Sequence, residues 1–244
     1  PEVCAVSVAH YANLFETYQP MKMGCSVGVG YGPVLVAPPS IKKTFQALGA
    51  TGMAELARTH VLLSPGPQTT AHNVLMALGY DFARTEFVPI SPMEQVFARL
   101  SELHSQGEPV MALLIHEGRL LYKQYGQELI VDIGEDWKKV TGGPLPLGMN
   151  VISRKLPMEV REELAALFFE SCKYAMNHQE DFAKLCADPK SLYYSPLTQE
   201  ELLHYLSLYA NDMTLAAPAE VLRSTEFLME KIHGQNKSVV LDWI

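Results

Sequence analysis

Six consecutive apolar residues, Val110-Met111-Ala112-Leu113-Leu114-Ile115, constrain the fold more than any other feature of the chain. A run without polar alternates does not suit a sheet with one solvated face. It reads as a strand buried on both faces, which requires helices covering the sheet. Further short apolar runs at Val3–Ser7, Val34–Ala37, Val61–Leu63 and Leu129–Ile133 read as strands. Helical patterns lie between them, over Val8–Phe15, Thr70–Leu78 and Met93–His104. This alternation predicts an α/β chain built from βαβ units around a largely parallel sheet. After a strand near Met149–Ser153 the chain turns helical. Pro157–Asn177 places Leu164, Leu167, Phe168 and Cys172 on one helical face. Thr198–Glu201 reads as a capping box ahead of Leu202–Tyr209, and a last helix runs from Pro218 to His233 with Gly234 as its stop.

With 244 residues the chain can form one large domain or two lobes, each with a core. Hydrophobic residues make up 48% and charged residues 19%, which argues against disorder. The net charge of -8 and the lack of a basic patch argue against a nucleic-acid partner. An anionic small molecule is still compatible with that bulk charge. No apolar run reaches the roughly 18 residues of a membrane span, so no membrane partner is expected. The opening Pro1-Glu2-Val3-Cys4 has neither region of a signal peptide. Cys4, Cys25, Cys172 and Cys186 form no CxxC pair and read as buried free thiols of a reducing compartment. His10, His60, His72, His104, His178, His204 and His233 lack ligand spacing such as HExxH. Each is read as structural or at the surface, and no metal is expected.

Three segments could carry chemistry. Gly28-Val29-Gly30-Tyr31-Gly32 is not a dinucleotide loop, because Pro33 and a strand follow it where a helix is needed. It reads as a turn in which backbone closely approaches a ligand or a neighbouring lobe. Ser64–Thr70 lies between a strand and a helix, with Thr69 or Thr70 as N-cap. The N–H groups of such a first turn can hold a carboxylate or phosphate, and plain capping explains the segment equally well. His116 follows the six-residue run at the carboxyl end of its strand, where α/β sheets bind ligands. It can serve as a general base near neutral pH, or equally as a structural histidine bonded to a loop. Glu117 and Arg119 read more simply as surface charges than as groups that orient His116. Thr141–Gly148, rich in Pro and Gly, reads as a rigid crossover.

Three blocks together carry a resemblance. "LLIHEGRLLYKQYGQELIVDIGEDW" (Leu113–Trp137), "TGGPLPLG" (Thr141–Gly148) and "GVGYGPVLVA" (Gly28–Ala37) are similar to the corresponding blocks of the 1,4-dihydroxy-6-naphthoate synthases of futalosine-dependent menaquinone biosynthesis. "VSVAHYA" (Val6–Ala12), "PGPQTTAH" (Pro65–His72) and "SQGE" (Ser105–Glu108) support it. Chorismate dehydratase, the sister family, resembles the chain less, since it lacks His-Glu at that strand end. The resemblance implies a type II periplasmic-binding-protein fold with two lobes and a ligand cleft, used in the cytoplasm. Lobe one would hold residues 1–38 and 147–244, and lobe two residues 39–146. Crossing strands would lie near Val34–Ala37 and Met149–Ser153.

The activity implied is that of a carbon–carbon lyase converting cyclic de-hypoxanthine futalosine into 1,4-dihydroxy-6-naphthoate. By resemblance His116 is the base. Thr69, Thr70 and Ala71 would hold the polar end of the substrate, while Ser7 and the Leu147-Gly148 backbone would line the opposite wall. The only partner implied is an aromatic or carboxylate-bearing small molecule. No metal or organic cofactor is expected, and a homodimer is compatible with the family. There are departures. The chain starts near the family's "VSV" segment, without its first strand and Ser-Pro-Cys-Pro-Asn-Asp-type loop. Ile41–His60 is longer than usual, Gly143 replaces a leucine, and Asn150 replaces an aliphatic residue. Two alternatives stay open. One is a non-catalytic or truncated small-organic-acid binding protein of the same fold, and the other a partial chain completed by another polypeptide.

Overall fold

A computed structural model describes residues 1–48, 52–233 and 239–244. Gly234, expected to stop the last helix, lies outside the described residues, as do residues 49–51 within the long Ile41–His60 stretch. The chain forms two compact units, residues 1–29 with 143–244 and residues 30–142. The breaks fall in the two glycine-containing connections, Val29-Gly30 and Gly142-Gly143. Both lie earlier in the chain than the expected lobe boundaries after residues 38 and 146.

The first unit opens with β1 (Val3–Ser7), α1 (Val8–Tyr11) and β2 (Tyr18–Gly28). The second unit then runs through β3 (Val34–Ala37), α2 (Pro39–Leu48), α3 (Gly52–Thr59), β4 (Val61–Ser64), α4 (Thr70–Ala77), β5 (Arg84–Phe87), α5 (Glu94–Ser105), β6 (Val110–Leu114), α6 (Gly118–Leu121), β7 (Glu128–Asp132) and α7 (Ile133–Thr141). The chain returns to the first unit with β8 (Leu145–Ser153), α8 (Met158–Asn177), α9 (Gln179–Ala187), α10 (Gln199–Tyr209), α11 (Asp212–Leu215) and α12 (Ala219–His233).

In the second unit the sheet order is β5-β4-β6-β3-β7. All five residues of β6 are buried, as the apolar run requires. One face packs on Val96, Phe97, Leu100 and Leu103 of α5, with Val36, Leu63, Ala112 and Leu114 as sheet partners. β4 is parallel to β5 and β6, but β3 is antiparallel to both β6 and β7. The sheet is therefore mixed, which corrects the expectation of a largely parallel one. The reason is that β3 enters from outside the βαβ succession. It is the first strand of this unit, its connection through α2 and α3 leads to a strand of opposite direction, and it pairs antiparallel between two strands that run alike.

The first unit carries an antiparallel sheet of order β1-β8-β2. β2 is absent from the sequence reading because Pro20 and Gly24 interrupt its pattern. The pairing shifts register between Met21 and Ser26, so the strand bulges there. Gly24 sits at φ +74°, and a Cβ on it would fall 2.1 Å from Asn150 Nδ2. Asn150 explains itself at this point: its buried amide donates to the Gly24 carbonyl at 2.8 Å and the Met23 carbonyl at 3.3 Å. The residue that departs from the aliphatic pattern thus satisfies carbonyls that the bulge removes from the ladder.

Other differences are local. α1 is shorter than the predicted Val8–Phe15 helix and ends at Tyr11. β5 was missed because Arg-Thr-Glu-Phe is a half-exposed edge strand with little apolar signal. Leu164 and Phe168 of α8 pack on Met21 and Ile152, whereas Leu167, expected on the same face, is 62% exposed. The Thr198–Glu201 capping box is formed at the start of α10. All four cysteines are free. Cys25 is buried, and burial pushes its thiol up to about 12, while the other three are half-buried. Among the described residues no helix is long and apolar enough to cross a membrane.

Replacing Asn150 with leucine leaves two half-buried carbonyls without this donor. The expected loss of stability is about 1–3 kcal/mol, read as a lower urea midpoint with an unchanged slope. An unaltered midpoint would show that the bulge does not depend on the amide.

Candidate active site

β4 and β6 pair in parallel, with Val61 opposite Val110 and Leu63 opposite Ala112. Their carboxyl ends therefore leave the same edge of the sheet. β4 continues through Ser64 and a loop into α4, and β6 continues into Ile115 and His116. Since β3 is antiparallel to β6 and β7, its start and the end of β7 share that edge as well.

Thr69, rather than Thr70, is the N-cap of α4. Its hydroxyl accepts the His72 N–H at 3.3 Å and donates to the Gly66 carbonyl at 2.8 Å. Thr70 and Ala71 are buried in the first turn. The three residues read from the sequence thus lie together, with the Thr69 side chain committed to the cap. His72 ties the end of β4 to this helix, with Nδ1 3.0 Å from Ser64 Oγ and its ring edge-on to Phe87 at 5.3 Å. Burial lowers its pKa below the usual imidazole value, so it is neutral at pH 7.

His116 has φ +51°, alone among the described non-glycine residues in lying at positive φ. Positive φ is uncommon for any residue but glycine, and histidine is among the side chains enriched there. The side chain keeps solvent access, yet the protein mass around it removes water enough to hold its pKa below the ordinary value. The neighbouring Glu117 carboxylate opposes that shift. A neutral imidazole with an open face is the protonation state a general base needs at pH 7. The turn closes through Gly118 N–H to the Ile115 carbonyl at 3.1 Å and Arg119 N–H to the His116 carbonyl at 3.2 Å.

Arg119 is not a surface charge. Its Nη1 donates to the Gly32 carbonyl and to Asp132 Oδ2, each at 2.6 Å, and the two charged side chains are only 17% and 6% exposed. The guanidinium also lies over the Tyr31 ring, 5.8 Å from its centroid. The second Asp132 oxygen caps α7 by accepting the Gly134 N–H at 2.9 Å. A Cβ on Gly134 would fall 2.0 Å from the Tyr31 carbonyl carbon. The close backbone approach expected of the glycine-rich turn is therefore made against the start of α7, within the same unit. No local pattern around Arg119 marks this role, because its partners lie on β7 and ahead of β3.

In the first unit Ser7 of β1 and Ser26 of β2 both pair with Gly148 of the central strand β8. Ser7, Leu147 and Gly148 are thus neighbours. Ser26 joins them from a strand that the sequence reading missed. A Cβ on Gly148 would meet its nearest atoms at 3.6 Å, an ordinary contact, so packing in this unit does not demand glycine. A separate cavity of about 370 Å³ lies among α8, α9, α10 and α11, with Cys172, Met176, Phe182, Leu202 and Leu206 in its wall. None of the candidate residues lines it, and burial raises the Cys172 thiol. Among the described residues no three His, Cys, Asp or Glu side chains converge on a metal-sized site.

The family model for menaquinone biosynthesis matches residues 1–233. A 1,4-dihydroxy-6-naphthoate synthase from Thermus thermophilus is 30% identical over 230 residues, covering 94% of this chain and 75% of that protein. The crystal structure of protein AF1704 from Archaeoglobus fulgidus superposes with a TM-score of 0.74 at 31% identity, over 94% of this chain and 77% of that one. An ABC transporter structure from Parabacteroides distasonis, 14% identical, gives a TM-score of 0.54 over 98% of this chain and 80% of that one. The last likeness concerns the fold alone, which is periplasmic-binding-protein-like, and with the sequence matches it leads to one conclusion: the chain belongs to the menaquinone biosynthesis family.

Proposed function

We propose that the chain is a 1,4-dihydroxy-6-naphthoate synthase, a carbon–carbon lyase that fragments cyclic de-hypoxanthine futalosine with His116 as general base. The observation that carries this reading is the placement of His116: a solvent-accessible imidazole at positive φ in the turn that follows a buried strand, with its pKa lowered by desolvation. In this reading His116 takes a proton from the substrate and becomes an imidazolium, which the Glu117 carboxylate favours electrostatically. Thr69, Thr70 and Ala71 at the start of α4 hold the polar end of the substrate, where the helix dipole favours negative charge. Ser7 and the Leu147-Gly148 backbone, of the first unit, are read by family resemblance as substrate-binding. Room for a Cβ at Gly148 makes alanine there a substitution that the sheet tolerates, so it can test this role.

Incubation with cyclic de-hypoxanthine futalosine should yield 1,4-dihydroxy-6-naphthoate, detected by mass spectrometry. His116→Ala should lower kcat by about 10²–10⁴-fold, the usual worth of a general base, while the circular dichroism spectrum stays native. Near-normal turnover by that variant would remove His116 from the mechanism. Binding without turnover by the wild type would favour the non-catalytic reading instead.

The lowered pKa of His116 fixes the direction of the pH dependence. The base is competent when neutral, so kcat/KM should be level above the ordinary imidazole value of about 6.5 and fall only at lower pH. An acid limb centred above 6.5 would contradict this assignment. Gly148→Ala should leave the unfolding midpoint nearly unchanged and raise KM several-fold. A parallel loss of stability would mean that the glycine serves the sheet.

A further inference from the structure

We infer that Arg119 is a positioning residue for His116, acting through its bonds to Gly32 and Asp132 and not by touching substrate. The inference rests on His116 being the base. The left-handed conformation of His116 is uncommon for a non-glycine residue, so the contacts that hold the turn set where the imidazole lies. The local hydrogen bonds of the turn, from Gly118 and Arg119 back to Ile115 and His116, shape it, and the β6 ladder reaches Leu114 opposite Val34. Beyond that point the Arg119 side chain adds a tie from the turn to the sheet. One nitrogen bonds the backbone just ahead of β3 and the carboxylate at the end of β7, so the segment after β6 is tied to the next two strands of the sheet. The anchor is itself held, because Asp132 caps α7 with its other oxygen. Both charges are largely withdrawn from solvent, so the contact is little screened and directional. A buried ion pair of this kind adds little net stability compared with apolar packing, and its use lies in fixing geometry. Lysine can supply the charge but not the planar group that lies over Tyr31.

The test combines kinetics on cyclic de-hypoxanthine futalosine with NMR titration of 13C-labelled histidine in Arg119→Ala, Arg119→Lys and Asp132→Asn. The His116 signal is assigned by its loss in His116→Ala. Arg119→Ala should lower kcat by roughly 10²-fold, the scale of an ångström of misplacement, with KM within about 2-fold. The His116 titration should move up towards that of an ordinary imidazole as the turn loosens, and Arg119→Lys should recover part of both effects. Asp132→Asn keeps an acceptor for the Gly134 N–H but loses the charge, and should shift kcat and the His116 signal in the same direction. It decides the matter if Arg119→Ala does not fold. Folded variants with wild-type kcat and an unmoved His116 titration would overturn the inference. The failure of the base assignment looks different: wild-type protein without turnover, or active His116→Ala, with the NMR shifts still present.

Discussion

Burial of β6 on both faces is the constraint from which the second unit follows. A strand with no polar side must be flanked by other strands and covered by helices, and the six-residue apolar run that contains it places no polar side chain before His116. That places an ionisable side chain where the core ends, with packed protein behind it and solvent in front. Its lowered pKa follows from the same placement, since the mass that buries β6 also dehydrates the residue that leaves it.

Charge is used differently across the molecule. The pairs on exposed ground, such as Arg84 with Glu108, are held between side chains about half open to solvent, where an ion pair contributes about 0–1 kcal/mol. Arg99 with Glu86 gains more from its two short bonds on the edge strand β5, and holds that strand's Glu86 carboxyl below its ordinary range. Arg119 with Asp132 is of another kind. It is largely withdrawn from solvent, Arg119 also donates to a backbone carbonyl and Asp132 also caps a helix, and the pair lies where β6 and β7 end and β3 begins. Its energy is spent on register between elements that are far apart in sequence.

Much of the fold was legible because the signals were local. The β6 run, the start of α4 with its capping threonine and the Thr198–Glu201 box are each readable within one turn or one strand. The elements that escaped notice lack such signals. β2 is broken by Pro20 and by Gly24, and its continuity depends on an amide from Asn150, far along the chain. β5 is an edge strand with two charges, held by pairing with β4. Leu167 has the spacing of a buried residue, but the core of the first unit meets α8 through Leu164 and Phe168 instead.

The candidate site divides along the same line. His116, Thr69 and Thr70 stand out because each lies where a recognisable strand ends or helix begins, whereas Ala71, Ser7, Leu147 and Gly148 are implied by the family resemblance alone. The α/β class, the apolar strand that leads to His116 and the helix that begins at Thr70 could be read from residue order, since they rest on apolar runs and caps whose physics is local. That β3 runs against its neighbours, that His116 lies at positive φ, that Ser26 stands opposite Gly148 and that Arg119 pairs with Asp132 came from the folded chain. These depend on which distant segments become neighbours, and a buried ion pair exists only once the whole sheet has brought its parts together.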